Sequence, residues 1–186
     1  MKFVFLFSSF FTITSLTAKA QKEEICYNPS LVKDTTKKSI KSIAVGVIDG
    51  DTVTVKYHSP GVRKRVIWGG LVPYEEVWVT GAHDATMVEF RRPVRIGNSS
   101  IPAGKYAFFS IPGKKHWTLI LNKNWEQHLA SEYDEQDDVV RIDVRPRKVR
   151  HTERLQYFIE ESKNKSGKIR VAWEQLEVEV PFILDK

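Results

Sequence analysis

The chain of 186 residues has a single cysteine, Cys26, so no internal disulfide can form and the fold has to stand on its apolar core. Its five histidines, His58, His83, His116, His128 and His151, never recur at His-x-His or His-x-x-x-His spacing, so no local zinc signature is present. Charge of one sign is not in large excess either: 29 Lys and Arg stand against 23 Asp and Glu, for a formal +6. The basic residues cluster at Arg63-Lys64-Arg65, Arg91-Arg92 and Arg141 to Arg154 without any recognition-module motif, which argues against nucleic acid as a partner. No apolar run reaches the roughly 20 residues of a membrane-spanning helix. Helical periodicity is almost absent as well.

What is present begins with an export signal. Lys2 precedes an apolar and hydroxyl run from Phe3 to Leu16, followed by Ala18-Lys19-Ala20. A positive start, a short apolar run and small residues before the cut predict a signal peptide over residues 1–20, cleaved after Ala20, and a secreted or periplasmic protein with no transmembrane segment after cleavage. Lys2 and Lys19 leave with the signal, which takes the formal charge from +6 to +4. Glu-Glu-Ile before Cys26 lacks the small residues of a lipid-attachment box. Residues 21–40 are polar and aperiodic and read as a leader or tether, with the single domain occupying 41–186 and its first strand opening near Ser39.

From there the period is two. Ile43, Val45 and Val47 share one face, Asp49-Gly50 marks a hairpin turn, and Val53, Val55 and Tyr57 follow. The alternation continues through Val77 and Val79; Thr86, Val88 and Phe90; and Val94 and Ile96 before a turn at Gly97 to Ser100. It resumes at Tyr106 to Ile111, Trp117 to Leu121, Val140 to Val144, Leu155 to Ile159, Ile169 to Trp173 and Leu176 to Val180. Only 123–138 suggests a short helix or a long solvated loop. About ten strands with one polar face each need a second layer, so the expected fold is all-β, an antiparallel β-sandwich. The long connection 59–76 favours a jelly-roll order, with strands crossing between sheets. Val55, Val88, Phe108, Leu119, Ile142 and Trp173 are the expected core.

Three segments interrupt the alternation: Tyr57 to Tyr74, Trp78 to Thr86, and Ile101 to Gly113. The runs YHSPGVRKRVIWGGLVPYEEVWVTGAHDAT, IPAGKYAFFSIPGKKHWTLILNKNW and YDEQDDVVRIDVRP, in that order, resemble an exported bacterial family catalogued as domain of unknown function 2911, over roughly residues 51–184. The resemblance implies an envelope or secreted protein and no established activity, substrate or cofactor. Where that family's pattern resembles Trp-Arg-Thr-Gly-Ala-Asn-Glu-Ala-Thr, this chain has Val79, His83 and Asp84 in place of the Arg, Asn and Glu.

The residues themselves offer two readings at each candidate position. Gly81-Ala82 leaves the backbone uncovered, so His83 and Asp84 can be presented to a ligand, or Asp84 can cap amides near Thr86 and Met87 as an ordinary turn former. His58 and His83, with Asp84, are the one plausible metal pair, suited to zinc or another divalent transition metal. Ser59 points away from His58 on an extended chain, so His58 is no base for it. Trp117 and Trp173 face inward, whereas Trp78 is out of phase with its neighbours and, with Trp68 and Tyr74, either lines a cleft beside Arg63 and Arg65 or packs under a loop. The expected function is an exported module that binds a small molecule, glycan or envelope protein through His58, Arg63, Arg65, Trp68, Tyr74, Trp78, His83 and Asp84. The alternative is a metal-assisted hydrolase using His58, His83 and Asp84.

Overall fold

A computed structural model of the chain describes residues 38–185, so the signal segment, its cleavage point, Cys26 and nearly all of the leader lie outside the described residues. Ten strands are formed: β1 (Ser39–Ile48), β2 (Asp51–Pro60), β3 (Thr86–Phe90), β4 (Val94–Ile96), β5 (Ser99–Ile101), β6 (Gly104–Pro112), β7 (Trp117–Asn122), β8 (Asp138–Val144), β9 (Arg147–Glu161) and β10 (Ser166–Leu184). They make two antiparallel sheets, β1-β2-β3-β6-β7-β8 and β5-β4-β10-β9. The β-sandwich expectation holds. Val55, Val88, Phe108, Leu119 and Trp173 are at most 2% exposed between the sheets, and Ile142 packs against them partly buried. Each such side chain contributes about 1.5–3 kcal/mol on burial.

The order of strands is that of hairpins and not the interleaved order of a jelly roll. The connection 59–76 was expected to carry the chain between sheets, yet β2 and β3 are direct neighbours, with Val55 opposite Val88. The chain instead crosses from β3 to the short hairpin β4–β5, returns to β6, which pairs with β3, and crosses again from β8 to β9. Three further differences have local causes. Gly97 in the left-handed region (φ 58) tightens the turn, so Ser99 and Ser100 belong to β5 and not to a turn. Ile169 to Trp173 and Leu176 to Val180 are one strand, because bulges around Glu174 (φ 55) switch the inward parity from odd to even residues. Val77 and Val79 form no strand: only Trp78 makes a bridge, to Ser110. The 123–138 segment is a loop with two single-turn 3₁₀ pieces, Ala130–Glu132 and Glu135–Asp137.

In β1 the apolar face is turned outward. Val45 and Val47 are each 56% exposed, whereas Ile48 is fully buried. The opposite parity must face inward because Gly46 lies against β9, where a Cβ would sit 2.4 Å from Ile159 Cγ2. Only a residue without a side chain permits that approach.

Alternation also explains a second, smaller core. On β6, Tyr106 and Phe108 belong to the main core, while Ala107 and Phe109 belong to a cluster with Val79, Ala85 and Ile120. Successive strand residues point to opposite faces, so this cluster lies on the outer face of the six-stranded sheet. The segments 77–85 and 125–133 cover it there. They leave the rest of that face open.

Candidate functional site

At the edge of this cover is a cleft of about 490 Å³. Its floor is the outer face of the sheet, with Lys41 of β1, Lys56 and His58 of β2, Met87 of β3 and Lys105 of β6. Its wall comes from the two covering segments: Asp84 and Ala85 from one, Trp125, Glu126, Gln127 and His128 from the other. Tyr57 also borders it. Burial pushes the Tyr57 phenol up to about 12, so it remains protonated at neutral pH.

The two wall segments are stitched together. Ala85 N donates to Gln127 O at 3.0 Å and Leu129 N donates to His83 O at 3.0 Å, leaving Asp84 and His128 directly opposed as an antiparallel pair. In such a pair the side chains stand close on the same face. Asp84 Oδ1 accordingly meets His128 Nδ1 at 2.8 Å. The hydrogen bond from His128 holds the Asp84 carboxyl below its ordinary value, and burial opposes this. The charges of His58, His128 and Lys41 lower it further. Residues His83 (φ 62) and Leu129 (φ 61), which make the second stitch, both adopt the left-handed backbone. That conformation costs a side-chain-bearing residue about 1–3 kcal/mol and is held by its surroundings.

The turn before Asp84 is fixed from within. Trp78 Nε1 donates to Gly81 O at 3.0 Å, and Thr86 Oγ1 and Tyr157 Oη donate to Thr80 O at 3.1 and 2.8 Å. A Cβ on Gly81 would lie 2.8 Å from Thr86 Oγ1, so the turn closes only with glycine there. The other wall is pinned by Asn122, which is fully buried. Its Nδ2 donates to Asp134 O at 2.8 Å and Asp138 Oδ1 at 2.9 Å, and its Oδ1 accepts from Asn124 N at 3.0 Å. The acidic run thus fastens a loop.

A family model described as Protein of unknown function (DUF2911) matches residues 39–182. The chain belongs to this family. No curated protein and no solved structure shows significant similarity to it. Among the described residues of this DUF2911 chain, no helix is long and apolar enough to cross a membrane.

Of the residues singled out in the sequence, His58, His83 and Asp84 come together. The His58 and His83 rings meet edge to face with centroids 5.2 Å apart. They do not form a ligand set: among the described residues no group of three or more His, Cys, Asp or Glu side chains is placed to hold a metal ion. His83 Nε2 is 2.9 Å from Ser39 Oγ, and Asp84 is engaged by His128. Asp84 is not a turn former of the expected kind, since the Thr86 amide goes to Val79 O and Met87 pairs within the sheet.

The remaining candidates lie elsewhere. Arg63 and Arg65 border a separate opening with Lys38, Arg65 donating back to the carbonyls of Gly61 and Val62. Tyr74 packs on Gly69 beneath Lys114. Trp68 and Trp78 join Trp117 and Trp173 against the main core, with Trp78 stacked on Trp173 at 5.7 Å. Trp78 does point opposite to Val77 and Val79, but that direction is the interior. Ser59 is buried and donates to Leu155 O at 2.7 Å. Sequence reasoning missed Trp125, His128, Lys41, Lys56 and Lys105. His128 lies 44 residues from Asp84, and nothing local announces the pairing.

Proposed function

We propose that this DUF2911 chain is an exported binding module that takes a small ligand at the bacterial cell envelope, in the cleft between the sheet face and the Asp84–His128 wall. The observation that carries the reading is the cleft itself: about 490 Å³, within the usual range of ligand sites, with an apolar strip of Ala85, Met87 and Trp125 among converging polar and charged groups. Its wall is held by backbone stitches and by a buried asparagine, so its shape exists before any ligand arrives. Rigid walls reduce the ordering cost of binding. Export rests on residues 1–20.

The test is a fragment library mapped by amide chemical shifts on the purified protein. Hits should perturb residues 56, 58, 84, 87 and 125–128 together. A library whose hits scatter or fall only beside Arg63 and Arg65 overturns the assignment of the cleft.

A hydrolase is the second reading, and the Asp84–His128 contact favours it, because a carboxylate that orients an imidazole is the arrangement of a general base. Both side chains are more than half exposed, at 60% and 56%. That exposure suits an ordinary surface pair as well. Hydrolysis of activated esters that disappears in His128→Ala would establish the hydrolase. Rates equal in the two proteins would remove it.

A further inference from the structure

We infer that the cleft takes an anionic amphiphile, a small molecule carrying one carboxylate or phosphate on a flat apolar body. The inference rests on the cleft being the ligand site and names the chemistry of what enters it.

The two ends of the cleft differ in charge. At one end stands the Asp84 carboxylate, hydrogen-bonded to His128 and near His58 and Lys41. Along the strands from there lie Lys56, opposite Met87, and Lys105, opposite Glu89. With a rise of about 3.3 Å per residue, Lys56 is about 7 Å from His58 along β2. Lys56 has no ion pair among the described residues. The Lys105 ammonium lies 4.6 Å from the centroid of the Trp125 ring. A lysine held over an aromatic face has already lost part of the side-chain freedom that binding would otherwise cost. Glu89 lies cross-strand from Lys105 and Glu126 stands in the wall beside Trp125, so the lining as a whole carries three lysines, Lys41, Lys56 and Lys105, against two carboxylates, Asp84 and Glu126. Between the ends the surface is apolar: Met87, Ala85 and the Trp125 ring.

An anion therefore meets opposite conditions at the two ends. Asp84 repels it at one, and Lys56 and Lys105 attract it at the other, with a flat apolar body between them against Met87 and Trp125. A ligand with an uncharged head gains nothing from the lysines and leaves them as they were. A cationic head is repelled by them. Carboxylate and phosphate share the needed chemistry, and the choice between them is a matter for the titration.

The test uses one apolar body with three heads. 2-Naphthoate, 2-naphthyl phosphate and neutral 2-naphthamide are titrated into the purified full chain at low ionic strength, followed by tryptophan fluorescence and calorimetry. At least one anion should bind about fivefold or more tightly than the amide, the size expected of one or two exposed charge contacts. The preference should shrink as salt is added. In the double variant Lys56→Gln/Lys105→Gln the ratio of anion to amide affinity should fall below about twofold; both lysines are exposed, so the fold is kept. Amide and anions binding alike, a preference that survives the double variant, or no binding of any of the three at millimolar concentration overturns the inference. The fragment map separates this from the site itself: fragments in the cleft with no anion preference leave the site standing and remove the ligand class.

Discussion

Two tryptophan environments in this molecule make opposite use of the same side chain. Trp68, Trp78, Trp117 and Trp173 form one cluster with ring centroids between 4.8 and 6.4 Å apart, packed on the main core beneath the 61–78 connection. Trp125 stands apart on the outer face, only partly buried, with Lys105 over its ring. In the cluster the indole N–H groups of Trp68, Trp117 and Trp173 have no hydrogen-bond partner. The cluster therefore serves burial at the expense of polarity, while Trp125 keeps an apolar face where a solute can reach it. On the proposed function, stability belongs to the first group and recognition to the second.

The sharpest way to break this division is Trp173→Ala. Trp173 is 2% exposed and touches Trp68 and Trp78, so the variant should lose about 3–5 kcal/mol in urea unfolding. A loss under about 1.5 kcal/mol would mean the cluster collapses around the gap and is no structural keystone.

Asn122→Ala comes next. It removes the side chain that pins the Trp125 loop from beneath and leaves the Asp134 carbonyl and the Asn124 amide without their partner. About 2 kcal/mol of stability should go, and probe binding in the cleft with it. If binding persists unchanged, the loop is held by its other contacts, such as Lys123 N to Asp137 O at 2.8 Å.

Trp125→Ala inverts the pattern of Trp173→Ala. Its effect on stability should stay within about 1 kcal/mol, as for a partly exposed side chain, while naphthalene probes bind about tenfold more weakly. Equal losses in both quantities would erase the distinction between the two environments.

The sandwich was legible because its signal is local: a period of two, set by the pleat, recurs in every long strand. Core positions such as Val55, Phe108 and Leu119 followed from it directly. The period failed where one residue changes the parity. Gly46 sets which face of β1 is inward by what it meets on β9, and the bulge at Glu174 reverses parity within β10. Neither is visible in apolar spacing alone. The site was half legible for a related reason. His58, His83 and Asp84 interrupt the alternation and could be found by that, but their partners Lys56 and Lys105 sit in regular strand positions where an outward lysine is ordinary. Trp125 and His128 reach the site through a loop whose path is decided by Asn122 and by two backbone stitches. Trp68 and Trp78 misled because an irregular connection has no parity from which inside and outside can be read.

The smallest expected effect is on Asp84, and its two readouts have to move in different directions. The hydrogen bond from His128 lowers the Asp84 pKa in the folded chain, so the carboxylate form stabilises the fold above the ordinary aspartate value of about 3.9, and this contribution is lost as pH falls through the lower folded value. The side chain is 60% exposed, so the contribution is that of a surface pair, about 0.2–1 kcal/mol. Asp84→Asn should therefore cost no more than this at pH 7 and should unfold with a weaker pH dependence below about pH 4 than the parent chain. In the cleft the same change removes a negative charge. 2-Naphthoate should bind about two- to threefold more tightly to the variant at low salt, and 2-naphthamide should not change. A loss of several kcal/mol would place Asp84 among the structural residues with Trp173. A gain shared equally by naphthoate and the amide would mean that Asp84 obstructs the cleft by its shape and hydration, and that its charge does not orient the ligand.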